Sequence, residues 1–187
     1  MGINVRLLPA LRALARGGLI AYPTEAIYGI GCDPLDPDAV SRLLQAKRRR
    51  PDKGLILLAA GQAQLADFLQ PLAPEWHSSL DATWPGPVTG LVPAAGWVPA
   101  GLSGRRETLA VRVTDHPVAA ALCRAWGGPL ISTSANRSGA PPARTALQAR
   151  LRLGPELDAI VAGPTGGLRQ ATEIRDIRTG RILRPGA

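Results

Sequence analysis

The sequence predicts an α/β fold in one domain, with a mixed sheet flanked by helices. Three observations lead there. Helical and strand-like hydrophobic periods alternate along the whole chain. The 187 residues, 45% of them hydrophobic, suffice for one core and sit near the usual length of a single domain, residues 1–187. No internal repeat, long linker or low-complexity tail interrupts the pattern.

Leu8, Leu11, Leu14 and Ala15 recur at helical spacing and meet a stop at Gly17 and Gly18, after which "LIAYPT" reads as a short buried strand ending at Pro23. "DPDAVSRLLQAKRR" is a helix: Asp36 is the N-cap, Pro37 takes the first helical position, and Val40, Leu43 and Leu44 share a face. "LILLAA" is the next strand. "QAQLADFL" and "PEWHSSLDATW" carry helical spacing up to Pro85, Gly86 and Pro87. "TLAVRV" and "PLISTSA" are strands on either side of a helix over "HPVAAALCRAW", which stops at Gly127 and Gly128. "TALQARLRL" is a further helix, and "LDAIVAG", "TEIRDI" and "RILRPG" close the chain as short strands around the Gly-rich "GPTGGLRQ".

Lys and Arg number 22 against 14 Asp and Glu, a formal charge of +8. Such a surface attracts nucleotides, RNA or acidic membrane. Cys32 and Cys123 stand far apart, so neither a disulfide framework nor a cysteine metal site is indicated, and a reducing compartment fits. Arg6, Arg12 and Arg16 interrupt any leader-like apolar run near the N-terminus, and no stretch reaches the ~18 apolar residues of a membrane span. A soluble, cytoplasmic protein that does not engage a membrane is expected.

The most concentrated charge is Lys47, Arg48, Arg49 and Arg50, at the end of a helix taken to run to Arg50. Successive helical residues point about 100° apart, so these four cannot converge on one ligand. Three readings remain open. They are cations offsetting the helix dipole, a diffuse RNA-binding surface, or one lip of a phosphate pocket in which Arg supplies a fork and Lys a point charge.

No glycine-rich phosphate loop of the usual kind accompanies them. "GIGCDP" has Pro34 where a dinucleotide fingerprint needs its third glycine, so Gly29 and Gly31 read as turn glycines. In "LISTSANRSG", strand alternation places Ser132, Ser134 and Asn136 on one side, at the strand end where α/β proteins bind ligands; simple turn capping is the alternative. "YPTEAIYGIG" puts Thr24 and Glu25 just past a strand, with Tyr22 and Tyr28 either walling a pocket or packing in the core. Arg112 lies inside an apolar strand and requires an anion, from a substrate or from Glu25. His77 and His116 lack the context of a hydrolytic triad, His116 reading as part of a helix start before Pro117, and the two histidines with two distant cysteines do not make a zinc site.

Taken in order, "YPTEAIYGIGCDP", the Lys47-x-Arg49 pair before "DKGLILL", "WPGPVT", "LAVRVTDHP", "STSANRSG" and "RILRPG" resemble the threonylcarbamoyl-AMP synthase family of the YrdC/TsaC type, from about Gly18 to Gly186. The resemblance implies a twisted open α/β sheet with a large, positively charged cavity. It implies that L-threonine, bicarbonate and ATP are joined to threonylcarbamoyl-adenylate and pyrophosphate, for partner proteins that build threonylcarbamoyladenosine in tRNA. It also implies binding of tRNA or double-stranded RNA, and a non-catalytic module of that kind is the alternative function. By the same resemblance Lys47 and Arg49 act on ATP as the catalytic pair, with Ser134, Asn136, Thr108, Arg184 and Lys53 as further ATP contacts. Arg112, Ser132, Thr172 and Thr24 hold threonine. Mg2+ is expected on the phosphates, with no protein metal ligands. Lys53 stands where many relatives have Asn, and Ala26 where many have a second Thr. The chain ends just past "LRPG", so the extra C-terminal domain of longer relatives is expected to be absent.

Overall fold

The computed structural model describes residues 5–186; the first four residues of the N-terminal stretch read as lacking a leader-like apolar run lie outside them. Nine strands form one sheet, β1 (Ile20–Pro23), β2 (Tyr28–Gly31), β3 (Ile56–Ala59), β4 (Val88–Pro93), β5 (Thr108–Val113), β6 (Leu130–Ser134), β7 (Ala159–Ile160), β8 (Glu173–Asp176) and β9 (Ile182–Arg184). Their order is β7-β1-β2-β6-β3-β5-β4-β8-β9. The sheet is mixed: β1/β7, β3/β5 and β4/β8 are parallel, and the other neighbours antiparallel. The helices are α1 (Leu8–Leu14), α2 (Pro37–Lys47), α3 (Pro74–Asp81), α4 (Ala100–Ser103), α5 (Pro117–Trp126) and α6 (Ala146–Leu153).

Strand alternation divides the buried residues between the two sheet faces. Ala21, Tyr28, Ile30, Leu57, Leu109, Val111 and Ile131 join one large cluster with Val40 and Leu43 of α2 and Ala149 and Leu153 of α6. Ile20, Tyr22, Leu58 and Leu130 face the other way, against Ala10, Ala13 and Leu14 of α1 and Ala119, Leu122 and Cys123 of α5. Those two helices cover only part of their face. Ile56, Ala110, Arg112 and Ser132 belong to the same face, and they floor a cavity instead of a core.

Three expectations change. The glycines at 29 and 31 are not in a turn but in strand β2, paired with β1 and β6. A Cβ on Gly31 would stand 1.9 Å from the Ile131 carbonyl oxygen and 3.1 Å from the Tyr22 hydroxyl. The Ile131 carbonyl thus leaves room only for hydrogen at position 31, and the Tyr22 hydroxyl donates to that same carbonyl at 3.0 Å. Residues 62–68 form a 3-10 helix, and β4 follows the Pro-Gly-Pro run directly, a strand the glycine-rich signal hid.

The third change concerns the basic run. Asp36 caps α2 as expected, its Oδ1 accepting from Asp38 and Ala39 N–H at 3.0 Å. The helix ends at Lys47, however, because Arg48 turns left-handed (φ 49°, ψ 46°) and the Arg49 N–H bonds back to the Leu44 carbonyl. A non-glycine residue in that region costs on the order of 1 kcal/mol. The turn separates the four cations: Lys47 is buried and Arg49 half-buried, while Arg48 and Arg50 face solvent, Arg50 paired with Asp52 at 2.7 Å.

Candidate functional site

The cavity encloses about 480 Å³. Its floor is the uncovered half of the sheet face, Gly29 on β2, Ser132 and Ser134 on β6, Ile56 on β3, and Thr108, Ala110 and Arg112 at alternate positions of β5. Arg49, Lys53 and Arg106 line one wall, while Thr172 and Arg184 line another and Thr24 stands at a third. Of the lining residues, five are Arg or Lys and none is Asp or Glu. Low-dielectric walls carrying one sign of charge concentrate the opposite sign inside.

The cations feel one another. Burial pulls the Arg49 guanidinium down from its ordinary range and Arg106 pulls it further. Burial, then Arg112 and Arg49, do the same to Arg184. An incoming polyanion relieves this repulsion, so the cavity is electrostatically prepared for one.

Arg112 sits at the deep end. It and Glu25 are each 4% exposed, with Arg112 Nη2 3.3 Å from Glu25 Oε2. Thr114 donates to Glu25 Oε1, and Arg112 Nη1 donates to the Thr172 hydroxyl at 2.5 Å. The buried Arg112 Nε has no hydrogen-bond partner among the described residues. The guanidinium is therefore charge-balanced by Glu25 yet keeps a free donor. Arg184 Nε and Nη2 reach the Thr172 carbonyl at 3.0 and 2.7 Å, so Thr172 joins arginines from two separate strands.

Of the residues singled out from sequence, Thr24, Arg49, Lys53, Thr108, Arg112, Ser132, Ser134, Thr172 and Arg184 meet in this one cavity. Lys47 and Asn136 do not line it. The Lys47 ammonium is buried behind the wall, donating to the carbonyls of Ser134 and Asn136, the latter at 2.9 Å. Burial, and secondarily Arg49, bring it down to about 7. Asn136 Nδ2 donates to the carbonyls of Arg137 and Ala140, closing the same turn. These two residues shape the loop that presents Ser134. Glu25 is engaged by Arg112 and Thr114 and is not part of the cavity wall.

Tyr22 and Tyr28 are both core residues, fully buried, which settles their two readings. Arg106 was not anticipated; "GRRE" is its only trace, a basic pair after the left-handed Gly104. No group of three or more His, Cys, Asp or Glu among the described residues is arranged to hold a metal ion.

Fold and cavity together define the class: an α/β protein with a basic cavity whose wall carries no carboxylate. Residues 12–186 match the sequence profile of the Sua5/YciO/YrdC family, which carries the description "telomere recombination", and the chain belongs to that family. It is 53% identical over 179 residues to the threonylcarbamoyl-AMP synthase of Halorhodospira halophila, covering 96% of this chain and 94% of the relative. The Nitrosococcus oceani protein of the same name is 54% identical over 97% of this chain and 98% of its own. Among solved structures, P. abyssi Sua5 complexed with L-threonine superposes with a TM-score of 0.89 at 31% identity, over 97% of this chain and 53% of that longer one. E. coli YciO superposes at 0.82 with 26% identity, covering 97% and 90%.

Proposed function

We propose that this chain is a threonylcarbamoyl-AMP synthase, condensing L-threonine, bicarbonate and ATP into threonylcarbamoyl-AMP and pyrophosphate. The observation that carries the reading is one cavity with two cationic ends, Arg112 deep on β5 and Arg49, Lys53 and Arg184 nearer the rim, with Thr172 between them. Close relatives bearing that name across nearly their full length agree with it.

In this mechanism the threonine carboxylate pairs with the Arg112 guanidinium, and Ser132 and Thr24 bound its side chain. The amine attacks the carbon of bicarbonate and yields a carbamate with loss of water, or attacks CO2, already formed from bicarbonate by that loss of water, and gives up a proton. A carbamate oxygen then attacks the α-phosphorus of ATP in line. The bond from that phosphorus to the bridging oxygen breaks, and pyrophosphate leaves. Arg49, Lys53 and Arg184 offset the charge spreading over the phosphates, while Thr108 and Ser134 donate hydroxyls to the nucleotide. This is positioning joined to electrostatic stabilisation, with no protein nucleophile.

Lys47 contributes to that catalytic pair from behind the wall, by holding the Ser134–Asn136 turn and adding its charge. Mg2+ arrives with ATP, held by phosphate oxygens and water, which suits a cavity whose wall offers no carboxylate. One domain, residues 1–187, carries the whole reaction. Its product serves partner proteins that modify adenosine in tRNA, in the cytoplasm, and the basic rim suits contact with tRNA itself. Among the described residues no helix is long and apolar enough to cross a membrane.

The test is pyrophosphate release from ATP and bicarbonate with and without L-threonine, beside L-serine and the Arg49→Ala protein. Release that requires threonine and collapses in the variant supports the reading. RNA binding at low salt without any threonine-dependent release would replace it with the non-catalytic alternative.

A further inference from the structure

Residues 163–172 form a strap from the end of β7 to the start of β8, lying across the turn of Thr24, Glu25 and Ala26. Its first residue is pinned by Tyr28, whose hydroxyl donates to the Gly163 carbonyl at 2.6 Å and accepts the Gly163 N–H at 3.1 Å. Its middle is laid against the turn by Gly166 N–H to the Thr24 carbonyl at 3.0 Å and Leu168 N–H to the Glu25 carbonyl at 3.1 Å. A Cβ on Gly166 would come within 2.9 Å of the Glu25 carbonyl oxygen, so the contact is backbone to backbone. Its last residue, Thr172, is held by Arg112 and Arg184.

Between Leu168 and Thr172 the strap is exposed, and one side chain from outside it takes over. Arg144 Nη1 reaches the carbonyls of Leu168 at 3.3 Å and Ala26 at 3.4 Å, and Nη2 donates to the carbonyl of Arg169. A single guanidinium thus bridges the turn and the strap. Its own position is fixed by the cap of α6: Thr145 Oγ1 accepts the Gln148 N–H at 3.1 Å, and Gln148 Oε1 accepts the Arg144 N–H at 2.8 Å. This reciprocal cap makes a rigid base for a long side chain. Arg144 does not line the cavity, but Ala26, Thr24, Ala171 and Thr172, at the two ends of what it clasps, do.

We propose that Arg144 is a positioning residue for the amino-acid substrate: by clasping the strap to the 24–26 turn it holds Thr24 and Thr172 in place around Arg112. The inference rests on the threonine reading of that end of the cavity. Losing the clasp leaves residues 169–171 without a tie between the Leu168 N–H bond to Glu25 and Thr172, so the wall beside the small substrate loosens while the phosphate end keeps Arg49 and Lys53.

The experiment measures initial rates of Arg144→Ala and Arg144→Lys, with Arg150→Ala, exposed on the same helix, as control. Trypsin cleavage at the exposed Arg169–Gln170 bond, followed by mass spectrometry, reports the strap without any turnover. Arg144→Ala is expected to raise the threonine KM about tenfold, with kcat and the ATP KM within about twofold. It should also cleave faster at that bond, and Arg144→Lys, which offers a donor without the fork, should recover part of the loss. An unchanged threonine KM overturns the inference, as does a parallel decline in kcat and both KM values with a lower Tm, which marks a purely structural residue. Threonine binding by calorimetry separates the two readings. Equal binding by wild type and Arg144→Ala overturns this inference alone, whereas wild-type protein that binds no threonine overturns the proposed function and this inference with it.

Discussion

Glu25→Gln is the most informative single change, because it removes the one protein charge that balances Arg112. Both partners are 4% exposed and their charged atoms lie 3.3 Å apart. Removing one partner of a buried pair costs about 3–5 kcal/mol, since the other charge stays buried without compensation. Glutamine keeps an acceptor for Thr114 and a polar neighbour for Arg112, so the lower end, about 3 kcal/mol, is expected. For a domain of this length each kcal/mol shifts Tm by about 2–4 °C, giving a fall of about 6–12 °C. The opposite effect is expected on binding. A threonine carboxylate that uses Arg112 no longer shares it with Glu25, so its Kd should fall about tenfold and saturating threonine should restore more Tm to the variant than to wild type. Thermal unfolding over a threonine series, with calorimetry for Kd, measures both. Threonine that binds Glu25→Gln no more tightly than wild type would refute the assignment of the carboxylate to Arg112, whatever the Tm does.

Two further outcomes follow from the same geometry. The Lys47 ammonium, brought to about 7 against an ordinary 10.5, is mostly neutral at pH 8 in the free protein. The folded state then binds fewer protons than the unfolded chain between those values, so this group's contribution to stability rises with pH across that window and is smallest below 7. ATP phosphates nearby reverse the shift, and calorimetry at pH 8 in buffers of different ionisation enthalpy should show uptake of up to about one proton on ATP binding, abolished in Lys47→Met. Gly31→Ala should not yield folded protein, because its methyl would stand 1.9 Å from the Ile131 carbonyl oxygen; Gly29→Ala, 3.1 Å from the Ser132 hydroxyl, should fold and raise the threonine KM. Soluble expression, circular dichroism and steady-state rates distinguish the two.

What the sequence makes legible is whatever a local signal governs. Asp36 with Pro37 starts α2, the alternating pattern of "TLAVRV" marks β5, and a lone Arg112 within it announces a buried anion partner, which the structure supplies as Glu25. The basic run was readable only as a question, because a left-handed Arg48 carries no sequence mark, and that residue decides which cations turn inward. Strand β2 is hidden for a tertiary reason: Gly31 is required by the Ile131 carbonyl packed against it and Gly29 lies close against the Ser132 hydroxyl, with a turn at neither. Arg144 was equally silent. The Thr145-x-x-Gln148 cap that anchors it lies in "TALQ", but the carbonyls it grips lie 24 and 25 residues further on.

In the proposed reaction one cavity joins threonine, bicarbonate carbon and adenylate in a single product. Mass spectrometry of a reaction run with ATP, L-threonine and 13C-bicarbonate tests it most directly. The expected product is an adenylate whose mass equals threonylcarbamoyl-AMP and rises by one unit with the labelled carbon, absent from Arg112→Ala. A threonyl-adenylate lacking the label, or no adenylate at all, would contradict it.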